Sequence, residues 1–240
     1  MNRKILVVLF STLLANTAMA GMEEAVEMMN RGDFIAAVEE LKPMVDLGHP
    51  QALYHQATMY ERGLGVKKSQ TKAFELYQRA AKRGIPEAQF NIAQMYLEGR
   101  GTIVDKRQGF EYTKRAADKG LAAAQFNLAL MYQEGVNTTQ NYVKAATWYE
   151  DAAMQNYALA QFNLAILYYD GKGVSKNVEQ SYIWNRIAAY NGYGPAEQSM
   201  DMDAQGLSRD QIKRCRARAD ELYLKIAPKI DEYKPYSWNQ

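Results

Sequence analysis

The sequence predicts an all-α fold, a solenoid of stacked helix–turn–helix repeats, and three observations carry that prediction. Four blocks of 36 residues align without gaps: Gln51–Pro86, Glu87–Ala122, Ala123–Ala158 and Leu159–Gly194. Single residues recur at fixed phase: Ala52, Ala88, Ala124, Ala160 and Ala196; Tyr60, Tyr96, Tyr132 and Tyr168; Gly63, Gly99, Gly135 and Gly171. Alanine pairs recur in the same way, at Ala80-Ala81, Ala116-Ala117, Ala152-Ala153 and Ala188-Ala189. A unit of this length cannot bury its apolar face alone, and stacking copies of it does.

The elements follow in chain order. Residues 1–20 read as an export leader: basic Arg3 and Lys4, an apolar run from Ile5 to Leu14, and the small-x-small site Ala18-Met19-Ala20, with cleavage after Ala20. The run is about ten residues long, and a membrane-spanning helix needs about twenty. No cysteine follows the cut to carry a lipid anchor. Residues 21–50 form a divergent first repeat in which Arg31-Gly32 replaces the longer loop seen later.

Each block within 51–194 reads as two helices. In the second block Ala88, Ile92 and Tyr96 share one helical face, and Gly99 stops the helix. Asp33, Ser69, Asp105, Asn141 and Asn177 stand at one phase and suit the N-cap of the second helix, where a side-chain oxygen accepts from a free N–H. Gln108 and Gln180 complete a capping-box pattern with Asp105 and Asn177. The second helix carries aromatics, as at Leu76-Tyr77 and Trp148-Tyr149, then the alanine pair, and ends at Gly84, Gly120, Asn156 or Gly192. Residues 195–227 give a half-repeat and then a closing helix opened by a Ser208/Gln211 capping box. Its apolar stripe is Ile212, Cys215, Ala219, Leu222 and Ile226. Residues 228–240 form a tail. The array amounts to about six helix pairs.

Composition narrows the function classes. The chain is 48% hydrophobic and 23% charged, which excludes a disordered polymer. Its net charge is +2, and removing residues 1–20 leaves 27 basic and 27 acidic side chains, so nothing favours nucleic acid electrostatically. The charge is uneven: residues 21–50 carry a net −5 and residues 205–240 a net +3, the arrangement a weak head-to-tail self-association would use. One cysteine and two histidines, His49 and His55, exclude an intrachain disulfide and a cysteine-based zinc site and leave little for acid–base chemistry. No metal or cofactor is expected. The loops Gly63-Leu64-Gly65, Gly99-Arg100-Gly101 and Gly171-Lys172-Gly173 follow helices rather than strands, so they read as turns and not as phosphate cradles. Cys215 lies between Arg214 and Arg216, which would activate a thiol, but it falls on the apolar stripe, which buries one. The basic run around Lys213 reads as a solvated helix face.

The segments Ala160-Gln161-Phe162-Asn163-Leu164-Ala165, Tyr168-Tyr169-Asp170-Gly171-Lys172-Gly173-Val174 and Ala145-Ala146-Thr147-Trp148-Tyr149 with Ala152-Ala153 resemble the Sel-one-like repeat (SLR), a relative of the tetratricopeptide repeat (TPR). The resemblance covers about residues 30–200; in the third block Asn137 replaces the second loop glycine. It implies a right-handed superhelix of helix pairs and a role in assembling other proteins, often in the bacterial envelope. Some cysteine-rich secreted members are associated with penicillin binding; they carry a cysteine pair in each repeat and this chain carries none, so that activity is not transferred.

The resemblance also implies that the first helices line a concave groove. By phase their non-core face then presents Tyr54, Thr58 and Glu61; Phe90, Gln94 and Leu97; Phe126, Leu130 and Gln133; Phe162, Ile166 and Tyr169. An aromatic ladder of this kind suits an extended peptide or a helix of a partner protein; the same phenylalanines at helical spacing also suit the core between repeats. Asn91, Asn127 and Asn163 recur beside them, as a peptide clamp or as inter-repeat hydrogen bonds. The expected function is a non-enzymatic scaffold or regulator, periplasmic or secreted, that binds another protein or peptide. The competing expectations are an envelope enzyme acting on peptidoglycan or a β-lactam, and a self-assembling structural protein.

Overall fold

A computed structural model of the chain describes residues 20–227. The leader expected at 1–20 lies outside them except for Ala20, and so does the tail, 228–240. The described residues hold twelve helices and no strand. They fall into two units that meet in sequence after Asp105.

The first unit contains α1 (20–31), α2 (Phe34–Asp46), α3 (Pro50–Arg62), α4 (Gln70–Lys82) and α5 (Pro86–Glu98). Proline opens α3 and α5, where its missing N–H would have had no helical partner. α2 packs on α3, α3 on α4, and α4 on α5. Ala73, Ala80, Ala88 and Ala93 are fully buried at these contacts, and the small side chains let the helix backbones close in. Tyr77, Leu53, Met59 and Ile92 fill the space between them.

The second unit contains α6 (Lys106–Asp118), α7 (Ala122–Glu134), α8 (Tyr142–Ala153), α9 (Ala158–Asp170), α10 (Val178–Tyr190), α11 (Pro195–Gln205) and α12 (Arg209–Ile226). Consecutive helices pack from α6 through α11, and α12 returns to pack on α10. Cys215 and Ala219 are the buried residues of the α12 stripe, and burial pushes the Cys215 thiol up from its usual range, which suits an inert side chain. The Ser208/Gln211 capping box forms in both directions.

The turns explain the recurrence of particular residues. Each long loop ends with a backbone N–H returned to the tyrosine carbonyl of its first helix: Ser69 to Tyr60, Asp105 to Tyr96, Asn141 to Tyr132 and Asn177 to Tyr168, at 2.8–2.9 Å. Ser69, Asn141 and Asn177 then accept from Lys72, Lys144 and Gln180 N–H as N-caps. Asp33 departs from the expectation: its side chain makes no cap bond. The turn before it is Gly32 alone, and Asp33 leaves it with ψ at 58°, short of the 96–106° of Ser69, Asn141 and Asn177.

The second glycine of each Gly-x-Gly loop serves a close approach. A Cβ on Gly65 would lie 2.4 Å from the Phe34 carbonyl oxygen, on Gly101 2.2 Å from that of Gln70, and on Gly173 2.2 Å from that of Tyr142. Each loop thus lies on the start of the second helix one repeat earlier, and only glycine fits both that gap and a φ near +70°. Asn137 takes the same positive φ, 56°, in the third block, as asparagine can.

Candidate functional site

In the first unit the face expected to bind is largely engaged in its own packing. Thr58 is buried, and this corrects its assignment to an accessible groove. Its hydroxyl lies 3.1 Å from the Tyr54 carbonyl and 2.9 Å from Tyr77 Oη. Tyr77 Oη donates to Glu61 Oε2 at 2.8 Å, and Glu61 also pairs with Arg100, which in turn pairs with Glu98. Burial first, then the Glu61 charge, pushes the Tyr77 phenol well above its usual range, so it stays a neutral donor. Tyr54 packs on His55 and Tyr77 and is itself shifted upward by burial. Phe90, Asn91, Gln94 and Leu97 on α5 are half-buried. His49 caps α3 through Nδ1, and burial lowers the pKa of His55 to about 4.

In the second unit Phe126 is half-buried against Tyr149 and Tyr157, with ring centres 5.8 and 5.2 Å apart, and Phe162 against Tyr193 at 4.9 Å. Leu130, Gln133 and Asn127 are also half-buried, and Gln133 Oε1 accepts from Tyr149 Oη at 3.1 Å. Asn163 donates to the Leu159 carbonyl of its own helix at 2.8 Å, which replaces the inter-repeat bond expected of it. Of the expected ladder, Ile166 and Tyr169 are the exposed members, at 39% and 46%.

Ile166 and Tyr169 stand over a pocket of about 130 Å³ between α9, α10 and α11. Met202 forms a third wall, and Ser181, Asn185 and Asp203 form a polar floor. Ser181 Oγ and Asn185 Nδ2 donate to Asp203 Oδ2 at 2.9 and 2.8 Å. Burial raises the Asp203 pKa, and the two hydrogen bonds oppose that shift.

Sequence reasoning missed this floor and one further set of residues. Gln89, Gln125 and Gln161 are buried and donate to the Ala81, Ala117 and Ala153 carbonyls, at 3.2, 3.4 and 3.1 Å. Each of these carbonyls already accepts a turn N–H, from Gly84, Gly120 or Asn156, and the glutamine gives it a second hydrogen bond. Their recurrence one place before each phenylalanine was the available signal; the floor's signal is a break in the period, since 185 aligns with Tyr77 and Tyr149, and 203 with Met59, Met95, Met131 and Leu167.

Comparison with known proteins agrees with this construction. The Sel1 repeat model matches at residues 50–85, 86–121, 122–157 and 158–193. A Sel1 repeat protein from Oxalobacter formigenes is 33% identical with a TM-score of 0.68, over 70% of this chain and 49% of that one. A protective antigen of uropathogenic Escherichia coli strains with an SLR fold is 28% identical with a TM-score of 0.75, over 90% of this chain and 48% of that one. The match thus spans about half the length of those two proteins. An immunity protein from Pseudomonas aeruginosa shares the fold at 19% identity, with a TM-score of 0.51 over 92% of this chain and 88% of that one. None of the curated proteins matches the chain. With its period, its turns and four consecutive repeats matched over more than half its length, the chain belongs to the Sel1 repeat family.

Proposed function

We propose that this protein is a binding module of the bacterial cell envelope, exported through the leader at residues 1–20, that holds a partner protein or peptide against the first-helix face of its second unit. The observation that carries the reading is the exposure of Ile166 and Tyr169, two large apolar side chains one turn apart on α9 at the mouth of a pocket. Partly exposed apolar side chains around a concave site are what a peptide anchor uses. Family membership supports a binding role, since stacked repeats offer extended surfaces to other chains. The placement of the histidines is consistent with a non-enzymatic reading: His49 serves as a helix cap and His55 is half-buried and packs on Tyr54. Among the described residues no helix is long and apolar enough to cross a membrane.

The test is a cross-linking capture from envelope fractions of the source cell, comparing the wild type with an Ile166→Ala/Tyr169→Ala variant. A specific protein captured by the wild type and lost by the folded variant supports the reading and names the partner. Equal capture by both overturns the choice of face. Fractionation of cells expressing the full chain tests export: a product that stays in the cytoplasm at its full length overturns the envelope location.

A further inference from the structure

In the last repeat and the half-repeat after it, three core positions change chemistry together. Ser181 stands where earlier repeats have Ala73, Gly109 and Ala145; Asn185 where they have Tyr77, Thr113 and Tyr149; Asp203 where they have Met59, Met95, Met131 and Leu167. All of these positions are buried. Ser181 and Asn185 are 22 and 18 residues from Asp203 in sequence, yet both bond to its Oδ2. The pocket lies above them, beside the position where Tyr77 and Tyr149 put a ring in other repeats.

That floor is chemically incomplete. Asp203 is 2% exposed, and its surroundings shift it by desolvation and by two neutral hydrogen bonds, with no basic group acting on it. A buried carboxylate without a countercharge is costly. Asn185 is also 2% exposed, and its Oδ1 has no hydrogen-bond partner among the described residues. Its orientation is fixed, because a carboxylate only accepts and the amide nitrogen must therefore face Asp203. Asp203 and Asn185, with its spare amide oxygen, thus line the floor of the pocket, and Ile166, Tyr169 and Met202 line it above together with one polar residue, Ser199. A metal ion is a poor match: among the described residues no group of three or more His, Cys, Asp or Glu side chains can hold one. The walls are mostly carbon, with Ser199 the one further small polar residue, where calcium wants six to eight oxygens. A cation with N–H donors and a hydrocarbon stem satisfies every part at once. A cavity of about 150 Å³ holds a benzene-sized group, so the stem has room.

We infer that this pocket binds an alkylammonium group, with its stem along Ile166 and Met202 and its head on Asp203 and Asn185 Oδ1. The group is carried either by a lysine side chain of a partner or by a free amine. The lysine source rests on the binding function proposed above; the recognition of the ammonium does not.

The protein is titrated with n-butylamine, 1-butanol and Nα-acetyl-lysine methylamide while the Asn185 side-chain amide and the Ile166 methyls are followed by NMR. Butylamine is expected to bind with a Kd on the order of millimolar, as suits so few atoms. Butanol, which lacks the charge, is expected to bind at least tenfold more weakly, and Asp203→Asn to weaken butylamine at least tenfold. Met202→Trp, which closes the mouth and leaves the floor intact, is expected to abolish the shifts, and it decides the matter if Asp203→Asn fails to fold. The lysine derivative matching butylamine assigns the pocket to a partner's side chain; butylamine binding alone assigns it to a free amine. Equal binding of butanol, an unchanged affinity in Asp203→Asn, or no shift with butylamine at concentrations well above millimolar (a pocket holding water only) overturns the inference. Failure of partner capture bears on the proposed function and leaves this titration readable.

Discussion

Gln161 on α9 donates from Nε2 to the backbone carbonyl of Ala153 at the end of α8, 3.1 Å away, and both residues are fully buried. The same bond occurs one period earlier from Gln125 to Ala117, and within the first unit from Gln89 to Ala81. It ties each first helix to the helix before it through a polar group that has no water to turn to. Replacing Gln89, Gln125 or Gln161 with methionine keeps the shape and leaves each carbonyl only its turn N–H, at an expected cost of ~0.5–1.5 kcal/mol each. Gln161 should cost the most, because it also bonds to Asn156 and Asn191. Denaturant unfolding of the three variants checks the order.

Gly173 offers a second test of stacking. An added Cβ meets the Tyr142 carbonyl carbon and oxygen at 2.2 Å, and φ is +73°. Gly173→Ala is expected to destabilise by more than ~2 kcal/mol, since both a backbone clash and a left-handed conformation count against it. Asn137→Gly, at the matching place in the third block, should change stability by less than about 0.5 kcal/mol, because that site already accommodates a side chain. Melting temperatures of the two variants settle the comparison.

The pH dependence has a defined sign at His55. Burial lowers its pKa from 6.5 to about 4, so the folded state prefers the neutral ring. Its contribution is therefore full above pH 6.5 and is lost as pH falls from there to about 4, with a limit of ~3 kcal/mol from the linkage relation. His55→Gln should flatten the fall in stability across that window. An unchanged profile in the variant would place the acid sensitivity elsewhere.

The ladder splits into two kinds of residue that mutation can separate. Phe126 and Phe162 are wedged against tyrosines, so truncating either to alanine should lower stability by ~1–3 kcal/mol through lost burial and ring contacts. Ile166→Ala and Tyr169→Ala remove partly exposed side chains and should lower stability by no more than about 1.5 kcal/mol each while weakening partner binding. Thermal melts paired with binding of the captured partner distinguish the two.

Asp203 acts in the direction opposite to His55. Its raised pKa means that the stability it contributes is present in acid and lost as pH rises through that pKa. A Ser181→Ala/Asn185→Tyr/Asp203→Met variant restores residues of earlier repeats, and it should melt higher than the wild type at neutral pH. The advantage should shrink as pH falls. A variant less stable than the wild type at every pH would mean that the polar floor is a net structural asset.

The sequence by itself determined the helix pairs, their caps and their turns. Those features are local: a glycine at a helix end, an asparagine before a first turn and an alanine pair act within a few residues of themselves, and the 36-residue period repeats the message. It failed at Asp33, where a turn of one glycine in place of the long loop leaves the backbone short of the extended cap geometry. Tertiary structure alone decided which side chains of a helical face stay open. Thr58 and Tyr169 belong to the same expected face, yet one is buried under Tyr77 and the other is exposed beside a pocket. Burial depends on what the opposing helix places there, and at position 185 that helix carries an asparagine in place of a tyrosine. The floor of Ser181, Asn185 and Asp203 likewise exists only where α10 meets α11, because a hydrogen bond needs its partners within about 3 Å and a linear pattern carries no such distance.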